Sequence, residues 1–296
     1  MQYRLGIDLG GTTFKVGLVD PIFQITAHKS AKTDPHARSA AALIADIASV
    51  SRALLSEAGL SPAALRTVGI GTPGRVNPKT GEVFAASNLG DASCALLGEV
   101  AAGAAKGADN VLLITLGTGV GSAFLMDGRL FTGKNGLGTE LGHTLLEYAG
   151  LSCSCGNRGC YEVYASVSAL IRITQEAMAA APDSLMHAYA VKNGGCVDGR
   201  TAFDCSRQGD GAALSVVDRY TSYVAAGLGS FLNTNVFRPD LILIGGGISR
   251  EGEYLIGPIR EKLPRHTFAG EVAPLPALAA AALGNDAGII GAACLD

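Results

Sequence analysis

The residues best able to do chemistry crowd into positions 136–162, GLGTELGHTLLEYAGLSCSCGNRGCYE. His143, Cys153, Cys155 and Cys160 form a Cys₃His set at ligand-like spacing, bracketed by Glu140 and Glu162. Thiolates and an imidazole suit tetrahedral Zn²⁺, and four protein ligands leave no open position for water, so the metal would be structural. The C-x-C spacing disfavours a Cys153–Cys155 disulfide. Ordinary buried thiols, or a bare zinc knuckle with both glutamates merely solvated, are the bland alternatives.

Three glycine turns carry a second chemistry. In Asp8-Leu-Gly10-Gly11-Thr12-Thr13-Phe-Lys15, the glycines allow close backbone approach and the threonines add hydroxyls beside exposed N–H groups. Such a turn can cradle phosphates, and the carboxylate of Asp8 can hold Mg²⁺ directly or through water. Taken alone, it is equally an ordinary hairpin turn. A second copy, Leu116-Gly117-Thr118-Gly119, lies about a hundred residues on, and the two could clamp one nucleotide from opposite domains. LILIGGGIS, 241–249, adds Gly246 and Gly247 after a strand, where an adenosine or phosphate can lie against backbone.

The elements that must position these turns read as follows. Tyr3–Asp8 and Phe14–Asp20 are strands of a hairpin, 37–58 is a helix stopped by Gly59, and Val68–Ile70 is a short strand. Val111–Leu116 and Ser122–Met126 repeat the strand–turn–strand device. Helices follow over Glu162–Ala181, Ala212–Thr234 and Glu251–Leu263, with Leu241–Ile244 a strand and a helix closing the chain. The repeated device predicts two similar α/β domains. Residues 182–211 show no clear period.

Bulk properties narrow the partners. The chain has 296 residues, 48% of them hydrophobic and 17% charged, ample for two cores. A net charge of -3 offers no basic face to nucleic acid or an anionic membrane. MQYRLGIDLGG has no signal-peptide pattern, and no apolar run is long enough to span a bilayer. Seven cysteines, an odd number, fit reduced thiols in a cytoplasmic protein better than a disulfide framework.

The three turns together resemble the sugar-kinase and actin class of ATPases. With residues 136–162 added, the chain is similar to the ROK family (repressors, open reading frames, sugar kinases). That signature is E-x-G-H, then C-x-C-G-x-x-G-C-x-E. Here it reads Glu140-Leu-Gly142-His143, then Cys153-Ser-Cys155-Gly-Asn-Arg-Gly-Cys160-Tyr-Glu162. The resemblance covers essentially the whole chain. It implies an α/β fold of two similar actin-like (ribonuclease H-like) domains around a cleft. The smaller would be 1–109, with the C-terminal helix 285–296 packing back on it. The larger, 110–284, would carry the zinc loop and the adenosine site.

The resemblance also implies roles. Zinc would fix the loop that presents Glu140, His143 and Glu162 to a sugar, His143 using one ring nitrogen for each. Gly74, Arg75, Ser87 and Asn88 would lie on the sugar too. ATP would contact Asp8, Gly10, Gly11, Thr12, Thr13 and Lys15, then Gly117, Thr118 and Gly119, with Gly246 and Gly247 at the adenosine and Mg²⁺ linked to Asp8. Asp91 would be the catalytic base, a residue that local sequence alone reads as a helix N-cap. One departure stands out. Family members carry a longer segment, including a strand, between SNLG and this Asp, whereas here Gly90 joins Asp91 directly and the usual Asn partner is missing. Either a mobile stretch is missing from the sequence or part of the sugar site is lost.

The implied activity is ATP-dependent phosphorylation of a hexose hydroxyl, glucose to glucose 6-phosphate, by a homodimer. N-acetylmannosamine or another hexose is the alternative substrate. A non-catalytic sugar or ATP sensor is the alternative of another class. A repressor of the family would need an N-terminal helix-turn-helix, for which a phosphate turn at Asp8 leaves no room.

Overall fold

The computed structural model describes residues 2–34, 39–72, 74–76, 83–84, 90–134, 138–234 and 238–295, with backbone only for 75–76, 83–84 and 90–91. In chain order the elements are β1 (Tyr3–Leu9), β2 (Thr13–Val19), β3 (Ile25–Lys32), α1 (Ala40–Glu57), β4 (Leu65–Gly71), β5 (Arg75–Val76), β6 (Val83–Phe84), α2 (Gly90–Ala102), β7 (Val111–Leu116), β8 (Val120–Met126) and β9 (Arg129–Phe131). Then come α3 (Glu162–Ala165), α4 (Val167–Ala180), α5 (Leu185–Lys192), α6 (Thr201–Ser206), α7 (Gly211–Leu232), β10 (Leu241–Gly245), α8 (Glu253–His266), β11 (Ala277–Ala280) and α9 (Ala287–Ala292).

Two sheets bear out the repeat. One has order β3-β2-β1-β4, the other β11-β10-β7-β8-β9, so the strand–turn–strand device sits at the same place in each. In the first, β1 pairs antiparallel with β2 and parallel with β4. Residue contacts divide the chain into two units. One holds Met1–Leu113, Ser122–Thr139 and Ala281–Asp296, the other Ile114–Gly121 and Glu140–Ala280.

In the first unit, α1 starts at the Ser39 cap, whose hydroxyl accepts from the Ala42 amide, and packs Ile47, Leu54 and Leu55 against Leu5, Phe14, Val16 and Leu18. Ile44, on the apolar period, faces solvent instead. The other face of the sheet receives α9 at unusually short range. A Cβ at Gly6 would overlap the Ile289 carbonyl oxygen, and one at Gly69 that of Ala292. Helix α2 seats on α9 as closely, Gly291 lying against the Cys94 carbonyl. Glu99 of α2, fully buried, accepts from the amides of Ala104 (2.8 Å), Ala282 (3.1 Å) and Leu283 (2.8 Å). Three N–H donors replace the water this carboxylate lost, and they fix the chain entering α9.

In the second unit, α7 is the spine. The Tyr220 hydroxyl donates to the Ala165 carbonyl (2.8 Å) and the Tyr161 hydroxyl to that of Val224 (3.1 Å), which pins α3. The single helix expected over Glu162–Ala181 is broken at Ser166. That residue is extended (φ -70°, ψ 164°) and caps α4 by accepting from the Ala169 amide. The terminal helix is shorter than its sequence pattern, preceded by a 3₁₀ turn at Gly284–Asp286. Residues 182–211 supply α5 and α6. Among the described residues no helix is long and apolar enough to cross a membrane.

Gly69→Ala is expected to cost about 1–3 kcal/mol by overpacking. Thermal unfolding would show it as a lower Tm; an unchanged Tm would mean α9 does not depend on that close seat.

Candidate functional site

Asp8 is the last residue but one of β1, opposite Lys15 on β2 and Gly71 on β4. Lys15 Nζ lies 3.9 Å from its carboxylate. Burial pushes the Asp8 carboxyl above the usual carboxylate range, outweighing the pull of Lys15 downward. Gly288 of α9 backs it, where a Cβ would lie 2.9 Å from Asp8 Cγ. A half-buried carboxylate with so weak a partner is suited to a cation.

The turn after Asp8 is built from backbone. Gly10 N–H donates to the Thr13 carbonyl (3.0 Å), and Gly11, Thr12 and Thr13 are exposed. Thr33, a residue with no signal in the sequence, is buried behind them. Its amide donates to the Thr12 carbonyl (2.9 Å) and its hydroxyl to the Gly10 carbonyl (2.7 Å).

The second turn is held in the same way. Gly117 N–H donates to the Gly119 carbonyl (3.0 Å). The Gly117 carbonyl accepts from the Val167 amide and that of Thr118 from the Ser168 hydroxyl, both at 2.8 Å. The break at Ser166 therefore matters, because it starts α4 where its first residues can reach this turn. Gly246 (φ 90°) sits against the Leu116 carbonyl, at a distance no Cβ would allow, so the third glycine turn adjoins the second. Gly247 then opens a 3₁₀ turn, Gly247–Glu251, that leads toward α8.

The knuckle is a small hairpin. Cys160 bridges Leu145, Ser152 bridges Arg158, and the Cys153 amide donates to the Asn157 carbonyl (2.8 Å). The ligand atoms of His143, Cys153, Cys155 and Cys160 all lie within 4.8 Å of one another. Cys155 and Cys160 Sγ are 3.7 Å apart, and His143 Nδ1 is 3.7 Å from Cys153 Sγ. Tetrahedral ligands at zinc distances are separated by about 3.5–3.8 Å. The donor set and its geometry both fit zinc, and Nδ1 as the inner nitrogen leaves Nε2 for another partner. Burial pushes the Cys160 thiol up to about 12, the neighbouring sulfurs adding to it.

Glu162 follows the knuckle by one buried residue, Tyr161. Its Oε2 accepts from the Val120 amide (2.9 Å), and Oε1 lies 3.9 Å from Cys153 Sγ. Gly119 passes so close that a Cβ there would collide with Oε2. One carboxylate therefore touches both the knuckle and the second glycine turn. Both oxygens of Glu140 are buried, and the amide of His143 donates to the Glu140 carbonyl (3.1 Å).

The structure thus brings together His143, Cys153, Cys155, Cys160 and Glu162 with the turn at 117–119, and Asp8 with Lys15. Gly74 is buried with φ 121° at the start of β5. The Arg75 side chain, Ser87 and Asn88 lie outside the described residues, as does the Asp91 side chain. The backbone of Asp91 falls inside the first turn of α2, which begins at Gly90. Helix α2 reaches back to the joint itself.

Comparison with known proteins gives the same outline. The model of the ROK family matches residues 4–90 and 86–296, two pieces that meet at this joint. A glucokinase of Thermotoga maritima is 34% identical over 98% of this chain and 96% of its own. One of Streptomyces coelicolor is 32% identical over 100% and 98%, the alignment running 320 positions against this chain's 296 residues. The crystal structure of a ROK family glucokinase from Streptomyces griseus, in complex with glucose and AMPPNP, superposes with a TM-score of 0.81. It is 31% identical, covering 99% of this chain and 98% of that one.

The knuckle generates a prediction. Thiols must lose their protons to bind metal, and a raised Cys160 thiol holds its proton more tightly, so protons compete better as pH falls. Elemental analysis should find one zinc per chain, lost on acidification and in Cys155→Ser, with a fall in Tm. Metal-free protein of unchanged Tm would contradict the assignment.

Proposed function

This chain belongs to the ROK family, and from that premise we propose that it is an ATP-dependent hexose kinase that phosphorylates glucose to glucose 6-phosphate. Its fold is the actin-like two-domain α/β fold of the ROK sugar kinases. The observation that carries the reading is Glu162, whose one carboxylate touches both the Cys₃His knuckle and the glycine turn at 117–119. A sugar held by Glu140, His143 Nε2 and Glu162 would be fixed relative to whatever that turn holds.

In this reading the amides and hydroxyls of Gly10, Gly11, Thr12, Thr13, Gly117, Thr118 and Gly119 take the phosphates, and Lys15 adds positive charge. Gly246 and Gly247 take the adenosine. Gly74, Arg75, Ser87 and Asn88 complete the sugar contacts. Asp8 would hold Mg²⁺, which when bound neutralises phosphate charge; His143, Cys153, Cys155 and Cys160 would hold a structural zinc. Asp91 accepts the proton of the sugar hydroxyl as its oxygen bonds to the γ-phosphorus and the bond to the β-phosphate oxygen breaks in line. Little covalent chemistry falls to the protein, so catalysis is mostly positioning and electrostatics.

We divide the domains as 1–109 with 285–296, and 110–284. We place the enzyme in the cytoplasm as a homodimer acting on a small sugar, without nucleic acid or membrane. The net charge of -3 supports the last point. Other hexoses, N-acetylmannosamine among them, are the alternative substrates. One observation favours a second reading, a sugar or ATP sensor without turnover: the family match falls into two pieces, 4–90 and 86–296, at the joint where the resemblance implies a longer segment.

General-base catalysis contributes about 10²–10⁴-fold. Asp91→Asn is therefore expected to lose at least about 10²-fold in turnover while binding MgADP as before. Near-normal turnover in that variant would remove Asp91 from the mechanism.

A further inference from the structure

We infer that Thr33 and Ser168 are positioning residues for the nucleotide phosphates, each holding a glycine turn so that its amides face the ligand. This rests on the kinase reading above and goes one layer behind it.

In a planar trans peptide, the C=O of one residue and the N–H of the next point in opposite directions. Anchoring a carbonyl on one side therefore aims the following amide to the other. The Thr33 hydroxyl anchors the Gly10 carbonyl and its amide that of Thr12, which aims the amides of Gly11 and Thr13 away from β3. The Val167 amide anchors the Gly117 carbonyl and the Ser168 hydroxyl that of Thr118, which aims the amides of Thr118 and Gly119 away from α4. Without these anchors a flexible glycine turn could present carbonyl oxygens to a phosphate, which they repel.

The two anchors are equivalent in chemistry and unrelated in origin. Each pairs one hydroxyl with one amide, and each acts on two carbonyls of one turn. Thr33 comes from the end of β3, beside the first turn, whereas Ser168 comes from the start of α4, some fifty positions beyond the second. Thr33 is buried at 4% exposure, so its hydroxyl has no solvent to turn to and its bond to Gly10 persists. Both turns keep their outer residues exposed: Gly11, Thr12 and Thr13 in one, Thr118 in the other.

The test uses the full chain and MgADP as the probe. Thr33→Val keeps the shape and the backbone anchor and removes only the hydroxyl. Thr33→Ser restores it, and Ser168→Ala removes the second. Titration calorimetry with MgADP is paired with steady-state KM for ATP and for glucose, and with Tm. Thr33→Val and Ser168→Ala should each weaken MgADP about tenfold, the worth of one hydrogen bond, and raise KM for ATP alike. KM for glucose should stay put, and Thr33→Ser should bind MgADP like the parent. Unchanged MgADP affinity in Thr33→Val and Ser168→Ala would overturn the inference and leave the kinase reading intact. So would parallel loss of glucose, nucleotide and Tm that Thr33→Ser fails to restore, since that marks a general structural role. A parent protein that does not bind MgADP at all would overturn the kinase reading, and the inference with it.

Discussion

The close seat of α9 on the first sheet is the constraint from which the first unit follows. Helix and sheet normally stay apart by the width of their side chains; here Gly6 and Gly69 let the carbonyls of Ile289 and Ala292 come down onto the strands. That depth brings Gly288 against Asp8 and lets Gly291 receive α2, the helix that begins at Gly90 and includes Asp91. A candidate cation ligand and the helix of a candidate base are thus referenced to one short helix. Glu99 secures it by binding the amides of Ala282 and Leu283, so the entry to α9 cannot slide. Burying a carboxylate for this purpose is tolerable only because its oxygens meet three donors.

The second unit solves a similar problem with different parts. Tyr161 and Tyr220 lock α3 to α7, and Glu162, the first residue of α3, is delivered between the knuckle and the turn at 117–119. A metal in the knuckle would make that delivery rigid by fixing Cys153 and Cys160 on either side of a loop only a few residues long. The candidate zinc ligands and the proposed sugar contacts would then be parts of one device.

Much of this was legible in the residues because its signals are local. The hairpins of β1–β2 and β7–β8 announce themselves by apolar alternation interrupted by glycine, and the knuckle by ligand spacing. Strand β3 did not, because the half-buried positions of ITAHKSAK include Lys29 and Ala31 rather than a row of large apolar side chains. Its absence from the sequence reading hid Thr33 as well, since only the return of β3 beside β2 brings that hydroxyl to Gly10. The break at Ser166 was masked by apolar periodicity that runs on through it. The terminal helix was legible, but the glycines of GIIGAA make sense only against Asp8 and Cys94, contacts of long sequence separation. What failed to read locally was set by tertiary partners: β3 by its neighbour β2, the break at Ser166 by the turn at 117–119, and the terminal glycines by Asp8 and Cys94.

Phosphoryl transfer from ATP to a hexose is read out as ADP release. Protein whose intact mass matches 30.1 kDa would be given Mg-ATP and, in turn, glucose, mannose, fructose, allose, N-acetylglucosamine and N-acetylmannosamine. Sugar-dependent ADP release, with glucose well above the rest, is the expected result. No sugar above background, from protein of confirmed mass, would contradict it and leave a chain that binds sugar or nucleotide without turning either over.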